Sequence, residues 1–420
     1  MTFAAFRVRS FRFQWPADLL TSWAFEMETI ILSWYVMVQT GSVVWLTAFA
    51  SVQFLGTLAS PMFGVLGDRL GGRAMLCGMR TIYGGFAAVL MTLTLGGWLT
   101  PTWVIVIAAL NGIVRPNDLV MRNTLIGETI PPAHLMGAVG LSRATMDSAR
   151  VGGALAGAGL STALGTGATY VIVTACYFAS LVLTFGVSRR LPVPDPGARL
   201  GVSLPGPSRL AELKDGIVRV ATTPSLLAMM LLAFLVNLTA YPVSGGLLPY
   251  AAQRIYHVDA TGLGWLAASF AFGGLLASVT TVLMGGTRYP ERSTLVGAAV
   301  WYMLLLGFGH VTHLGLGLLT LLAAGFAQNV AMIAMTADLI AAAGDRFRGR
   351  VMGVRMLAVY GLPLGLLGSG YLIGRIGYPL TITASATAGL AFTILIGIRW
   401  RASLWQRHAR RVAPSVPQRV

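Results

Sequence analysis

Apolar runs of about twenty residues recur along this chain, and most of the charge is swept into the gaps between them. No motif constrains the fold as tightly. A helix that crosses the hydrocarbon core of a bilayer needs about 20 mostly apolar residues, because lipid offers nothing to hydrogen-bond an exposed peptide group. Such runs lie at roughly 15–38, 43–66, 74–95, 102–125, 137–163, 168–188, 223–247, 262–284, 293–311, 316–340, 351–373 and 378–398, with ends placed to about 2–4 residues. They predict an all-α integral membrane protein of twelve transmembrane helices. Charged residues make up 10% of the chain, against about 25% for a soluble domain.

The charge that remains is strongly basic, with a formal net charge of +16. Its placement decides its meaning. One set of gaps holds Arg7, Arg9 and Arg12, then Arg69 and Arg73, the arginines of 189–219, Arg288 and Arg292, Arg346 to Arg350, and the tail beyond Arg399; the alternate gaps hold only Arg254 and Arg375. Basic loops stay on the cytoplasmic side, so both termini are expected there. The excess is then a topology signal, helped by anionic lipid headgroups, and no nucleic-acid partner is needed to explain it. The N-terminus carries no small-residue cleavage site after a short apolar core, so the first run reads as a retained span.

The longest polar gap, 189–222, opens with five prolines. It ends in a segment where Leu210, Leu213, Ile217 and Val220 fall at helical spacing, an amphipathic helix for the inner membrane surface. It divides the chain into an N-terminal six-helix half, 1–188, a linker, 189–222, a C-terminal six-helix half, 223–398, and a basic tail, 399–420. A shift of 212 residues, close to half the chain, maps Asn117 onto Asn329, Arg143 onto Arg355 and Gly165 onto Gly377. Related halves around a midplane site are a recurrent transporter plan.

Between the second and third runs stands Gly64-Val65-Leu66-Gly67-Asp68-Arg69-Leu70-Gly71-Gly72-Arg73. It resembles the signature loop of the major facilitator superfamily, with Gly67 and Gly72 departing from the usual residues. The resemblance implies a gate: Asp68, Arg69, Gly71 and Arg73 would hold the inner face closed and release it. The segment 150–160 is similar to the antiporter motif of drug exporters, with Gly152, Gly153, Ala156 and Gly157 in the matching places and Gly153 where that motif has proline. Small residues so spaced also suit close helix packing. Arg348 to Gly353 resembles the second-half loops of the same superfamily. Outside 64–73 the likeness is loose. The opening segment and the start of the second run look most like bacterial drug and siderophore exporters of the macrolide and enterobactin type.

Charge at mid-bilayer costs roughly 2.5–3.5 kcal/mol on insertion scales, so its position is informative. In the first run Asp18, Ser22, Glu26, Thr29 and Ser33 form one stripe flanked by Trp23, with Glu28 off it. Asn111, Arg115, Asp118 and Arg122 share a face of the fourth run, and Arg143, Asp147 and Arg150 a face of the fifth. The resemblance implies that spans one, four, seven and ten line a central cavity. Glu26 and Arg115 then become an acid and base facing each other, and Glu26, Asp118 and Asp147 the candidate proton carriers. Ser22, Trp23, Thr29, Asn111, Arg115 and Arg150 are the candidate substrate contacts of the first half. Those of the second are Phe234, Asn237, Tyr241, Gln328 and Asn329, whose amides, hydroxyl and aromatics suit a neutral or mixed organic solute.

No metal, cofactor or enzymatic activity is expected. Cys77 and Cys176 lie apart in apolar runs, and His310 and His313 have no third ligand near them in sequence. Zinc-protease, nucleophile-elbow and ATP-binding motifs are missing. The expectation is a monomeric, multi-pass transporter of the bacterial cytoplasmic membrane that exports a siderophore or drug-like solute by proton antiport. A proton-coupled importer, or less readily a substrate-sensing receptor, is the alternative.

Overall fold

Each apolar run satisfies its peptide groups as a helix. The computed structural model describes residues 6–57, 66, 70–188, 209–284 and 289–405, and these are almost entirely helical. The first span is Arg9–Thr40. The second begins as Val43–Val52 and tightens into a 3₁₀ turn at Leu55–Thr57. The third is Gly72–Leu95. The fourth runs Pro101–Val114, a 3₁₀ turn at Arg115–Asn117, then Asp118–Thr129. The fifth and sixth share the helical path Pro132–Phe185, broken at Gly165. After the seventh, Pro224–Thr239, come the eighth, Ala260–Leu283, and the ninth, Pro290–Phe308. The tenth and eleventh share Leu314–Ala358, broken at Gly344, and the eleventh resumes as Gly361–Ile376. The twelfth is Tyr378–Arg399.

Among the described residues, eight helices are long and apolar enough to cross a membrane, and one of them, Gly140–Phe185, holds two spans. The first span lacks that uniform apolarity because of its polar stripe. It also starts six residues earlier than its apolar run, as Arg9 and Arg12 can extend the helix while keeping their heads in the interface.

The two six-helix halves repeat one another. Gly165 and Gly377 both have positive φ (79° and 83°) with extended ψ (163° and 168°), and each reverses the chain between two spans in a single residue. Only glycine adopts that conformation without strain. The paired asparagines repeat a role as well. Asn117 donates from the fourth span to the Gly56 carbonyl of the second at 3.3 Å, and Asn329 donates from the tenth to the Gly274 carbonyl of the eighth.

Those carbonyls are reachable because the helices cross on glycine. A Cβ at Gly56 would strike the Ile113 backbone, and one at Gly112 the Val52 and Gln53 backbone; Gly273 meets Leu322 and Gly325 meets Phe270 in the same reciprocal way. Without a hydrophobic force between helices in lipid, such close approach is how they gain packing energy.

The halves meet at the end of the bundle away from the termini. Thr47 of the second span touches Gly370 of the eleventh, and the Ser51 hydroxyl donates to the Pro363 carbonyl at 3.2 Å. Gly264 of the eighth lies against Ala158 of the fifth, and Thr261 donates to Thr162 at 3.1 Å. The seventh span bears on this closure. Expected to end at 247, it continues to Ile255 through two wide π-turns, Pro242–Gly246 and Ala251–Ile255. Pro242 and Pro249 each lack an N–H, so a regular α-helix cannot be maintained there. Within the first turn, Gly246 seats Leu366 and Ala50 from the two halves. At the other end, the surface helix Arg209–Thr222 docks on the eleventh span, with Asp215 accepting from Arg350 at 3.1 Å.

Gly112→Val and Gly325→Val are expected to destabilise the fold by about 1–3 kcal/mol each through overpacking. Gly127, which faces open space, serves as the control. Equal melting temperatures in detergent for Gly112→Val and Gly127→Val would remove the close-approach account.

Candidate functional site

The first half holds a closed ionic cluster. The Asp18 carboxylate of the first span accepts a hydrogen bond from Arg80 of the third and lies 3.6 Å from Arg122 Nε of the fourth. Arg122 also pairs with Asp118, one turn before it. All four side chains are buried. Other donors of the two arginines are also used: Arg122 Nη1 donates to the Asp18 carbonyl at 3.1 Å and Ser22 Oγ at 2.7 Å, and Arg80 to the Thr184 hydroxyl of the sixth span, while Arg80 Nε is left without a hydrogen-bond partner. Two acids and two bases cancel, which is the condition for burying charge in a medium of low dielectric. The sequence reading does not single out Arg80. Its signal was available: a lone cation within the third span needs a partner from another helix. Asp118, expected as a proton carrier, is bound into this cluster.

Beside the cluster lies a cavity of ≈160 Å³ lined by Ser22, Phe25, Glu26, Arg115, Asp118, Leu119, Arg122, Met146 and Arg150. Glu26 Oε1 is 4.0 Å from Arg150 Nε, Arg150 is 3.9 Å from Asp147, and Arg143 is 3.7 Å from Asp147. The Glu26 side chain is 33% exposed and that of Arg150 51%, so this chain of pairs is open to whatever fills the cavity. Glycines of the 150–160 segment set it up. Cβ atoms at Gly152, Gly153 and Gly157 would strike Trp23, Glu26 and Met27. The fifth span therefore sits directly on the first, which brings Arg150 to Glu26 and turns Trp23 toward the fifth span.

Arg115 does not form the ion pair with Glu26 that the sequence suggests, although both line the cavity. Pro116 sits in the 3₁₀ turn that interrupts the fourth span at this point. The guanidinium lies over the Phe25 ring, 4.1 Å from its centroid, and donates to the Phe25 carbonyl at 2.8 Å, Thr29 at 3.1 Å and Gln53 Oε1 at 3.1 Å. It thereby separates the cavity from a pocket of ≈10 Å³ lined in part by Glu28, Thr29, Gln53 and Asn111. Glu28, off the polar stripe, is buried there against the sixth span and accepts from Tyr177 at 2.8 Å.

In the second half, Gln328 donates to the Tyr241 hydroxyl at 2.7 Å, and Tyr241 stands edge-on to Trp301 with centroids 5.0 Å apart. Asn237 donates within its own helix, to the Ala233 carbonyl. Phe234 is partly exposed, and its carbonyl is the close neighbour of Gly361. Asn329 differs from expectation: its amide donates to Gly274 and to Ser278 at 2.8 Å, so it ties the tenth span to the eighth.

Of the expected gate, Asp68 and Arg69 lie outside the described residues. Gly71 has φ 81° and ends the connection into the third span. The Gly72 N–H at that helix start donates to Glu128 at 3.3 Å, a carboxylate at the positive end of a helix dipole. Arg73 donates to the Phe185 carbonyl at 2.6 Å, closing the end of the sixth span.

Twelve spans in two like halves, joined at one end and with a charged cavity in the first half, match known proteins. The sequence profile of the Major Facilitator Superfamily matches residues 17–243, more than half of the chain. The chain belongs to the major facilitator superfamily. Solved superfamily structures share its fold at low identity. A bacterial homolog of the human lysosomal transporter Spinster, in an inward-facing and unoccupied conformation, is 16% identical, with a TM-score of 0.68 over 96% of this chain and 98% of that one. A POT family transporter in complex with 5-aminolevulinic acid is 12% identical, with a TM-score of 0.72 over 95% and 97%. The nucleoside transporter NupG, as a D323A mutant, is 13% identical, with a TM-score of 0.67 over 93% and 99%. No curated protein matches the chain by sequence. It is a multi-pass membrane transporter by membership of the superfamily.

Removing one partner of the ionic cluster leaves an uncompensated buried charge. Arg80→Met is expected to cost about 3–5 kcal/mol, read as a large drop in melting temperature, and adding Asp18→Asn should recover part of it. Arg143→Gln, half exposed, should shift melting little. A melting temperature for Arg80→Met at the wild-type value would show that the cluster does not hold the half together.

Proposed function

We propose that this chain exports a small organic molecule in exchange for protons, by alternating access. The observation that carries this reading is a carboxylate in a loose ion pair on the wall of a cavity in the first half, in a bundle whose halves close at one end. Glu26 has Arg150 as its ion-pair partner, and Arg150 also has Asp147. When Glu26 takes a proton, Arg150 keeps a counter-charge, so the exchange leaves no orphan cation. Asp147 serves as the second acceptor in this chain of pairs. Asp118, held by Arg122, takes part only if the cluster loosens.

Export follows if proton and substrate compete. A proton entering from outside neutralises Glu26 and displaces the solute outward; the neutral carboxyl then permits the return. Inward proton movement gains roughly 2.3 kcal/mol per charge per 100 mV, roughly a fifty-fold concentration ratio for one proton. The arginine distribution assigns the end that holds both termini to the cytoplasm, so the closed end faces outward. The opening segment and the start of the second span, with the antiporter-like 150–160 segment, support a bacterial inner-membrane exporter of drug-like or siderophore solutes. The cavity is lined within one half of one chain, and the chain serves as a monomer in lipid.

Substrate is found by accumulation assays in a deletion strain, with drugs and siderophores screened under iron limitation. In proteoliposomes with an imposed pH difference, Glu26→Gln should abolish uphill export and leave downhill exchange measurable. Glu28→Gln, whose carboxylate is buried away from the cavity, should do much less. Uphill export that persists in Glu26→Gln would disqualify Glu26 and move Asp147 to the front. Reporter fusions after Gly72 and Ala413 should read cytoplasmic, and those after Thr100 and Thr312 external. A cytoplasmic reading at Thr100 would overturn the orientation.

A further inference from the structure

The pocket behind Arg115 measures ≈10 Å³, and its polar lining is Glu28, Thr29, Gln53, Asn111 and Arg115. A space of about 10–15 Å³ admits one water when about two to four polar groups stand around it. The lining groups leave capacity for such a molecule. Asn111 is buried, and its Oδ1 atom, itself enclosed, accepts no hydrogen bond from the protein. A buried polar atom in that condition is costly unless something else satisfies it. Glu28 is buried as well and accepts from Tyr177 of the sixth span. Arg115 donates to Gln53, to Thr29 and to the Phe25 carbonyl, all neutral acceptors. It lines the same pocket as Glu28. Walls around so small a space stand about one water apart, so each of these groups is within reach of a molecule held there.

We propose that this pocket binds a single water, which donates to the Glu28 carboxylate and to Asn111 Oδ1 and accepts from Arg115. The water carries an ion pair between Glu28 and Arg115, whose charges are electrostatic neighbours. A guanidinium at membrane depth needs a counter-charge from the protein, and Glu28 supplies it through one molecule of solvent. The two acids of the first span thus serve different arginines, Glu26 facing Arg150 and Glu28 facing Arg115. Glu28 is then a positioning residue. It holds Arg115 over the Phe25 ring and away from Glu26, although Arg115 and Glu26 line one cavity. The site stands on its own geometry and depends on neither the cargo nor the direction of transport.

An apolar isostere distinguishes a wet pocket from a dry one. Replacing a buried polar group that has no partner by an apolar group of like shape stabilises a protein, whereas removing one that is hydrogen-bonded destabilises it. Asn111→Leu should therefore lower the melting temperature of the purified full chain in detergent. Asn111→Leu combined with Glu28→Gln should lower it by less than the sum of the single changes, because both act through the same water. Asn111→Leu combined with Asn329→Leu, in the other half, should be additive. Labelling with phenylglyoxal, read by mass spectrometry, follows the position of Arg115. Arg115 should react more slowly than the half-exposed Arg143 and Arg150. Glu28→Gln should speed its reaction about tenfold, the size of one charge-assisted hydrogen bond, and Glu28→Asp, which keeps the charge, should recover part of the protection. A higher melting temperature for Asn111→Leu would show a dry pocket. Additive losses in the Asn111→Leu, Glu28→Gln pair would show that no water joins them, and an Arg115 rate unchanged by Glu28→Gln that Glu28 does not position it. Each of these results would overturn the proposal.

Discussion

A guanidinium inside a bilayer has to find its counter-charge within the protein. Lipid cannot solvate it, and water reaches it only through a cavity. In the first half this requirement fixes the arrangement of helices. Arg80 draws Asp18 to it, Asp18 approaches Arg122, and Arg122 holds Asp118. Three spans are thereby located relative to one another, and Thr184 adds the sixth. The glycine crossings then fill in what charge does not reach. The second and fourth spans lie against each other through Gly56 and Gly112, and Asn117 seals the contact. The second half uses the same crossings, and Asn329 adds an amide tie between the tenth and eighth spans.

Each half is in this way built as a body that resists internal change, and motion is left to the cleft. The groups that remain adjustable are those that the clusters do not absorb. Glu26 and Arg150 are partly exposed and loosely paired, whereas Asp18 and Arg80 are neither. The seventh span has a different kind of freedom. Its π-turns at Pro242–Gly246 and Ala251–Ile255 carry hydrogen-bond registers that a straight α-helix does not. Because Gly246 sits where the two halves touch, a local change of register there can separate them without unfolding a span.

Much of this was legible in the sequence, and the reasons are physical. Period and length announce a membrane helix, because the bilayer leaves so few alternatives. The repeat at 212 residues was visible as three coincidences, and structure turned two of them into matched roles: Gly165 and Gly377 as one-residue reversals, Asn117 and Asn329 as ties between neighbouring helices. Asn329 was nevertheless read as a cavity residue, since a polar side chain on an apolar helix looks the same whether it faces a ligand or a carbonyl. Arg80 escaped notice because spacing within one helix says nothing about a partner on another. The facing of Glu26 and Arg115 came from the resemblance to the superfamily, and at Arg115 this chain has a proline next in sequence and a 3₁₀ turn, with the guanidinium held by Phe25, Thr29 and Gln53. Glu28 lay off the stripe and is enclosed by the sixth span, a contact between segments some 150 residues apart in sequence that no periodicity reveals.

The one-residue reversals at Gly165 and Gly377 belong to a wider economy of chain on the closed face. The connections there run 41–42, 96–100, 165, 256–259, 309–313 and 377, so no segment between spans exceeds five residues. Such a surface offers little for an antibody to grip or a protease to thread into its active site. An epitope or fluorophore placed on that face has room in the turns at 96–100, 256–259 and 309–313, and labels at 41–42, 165 or 377 would have to displace a helix end.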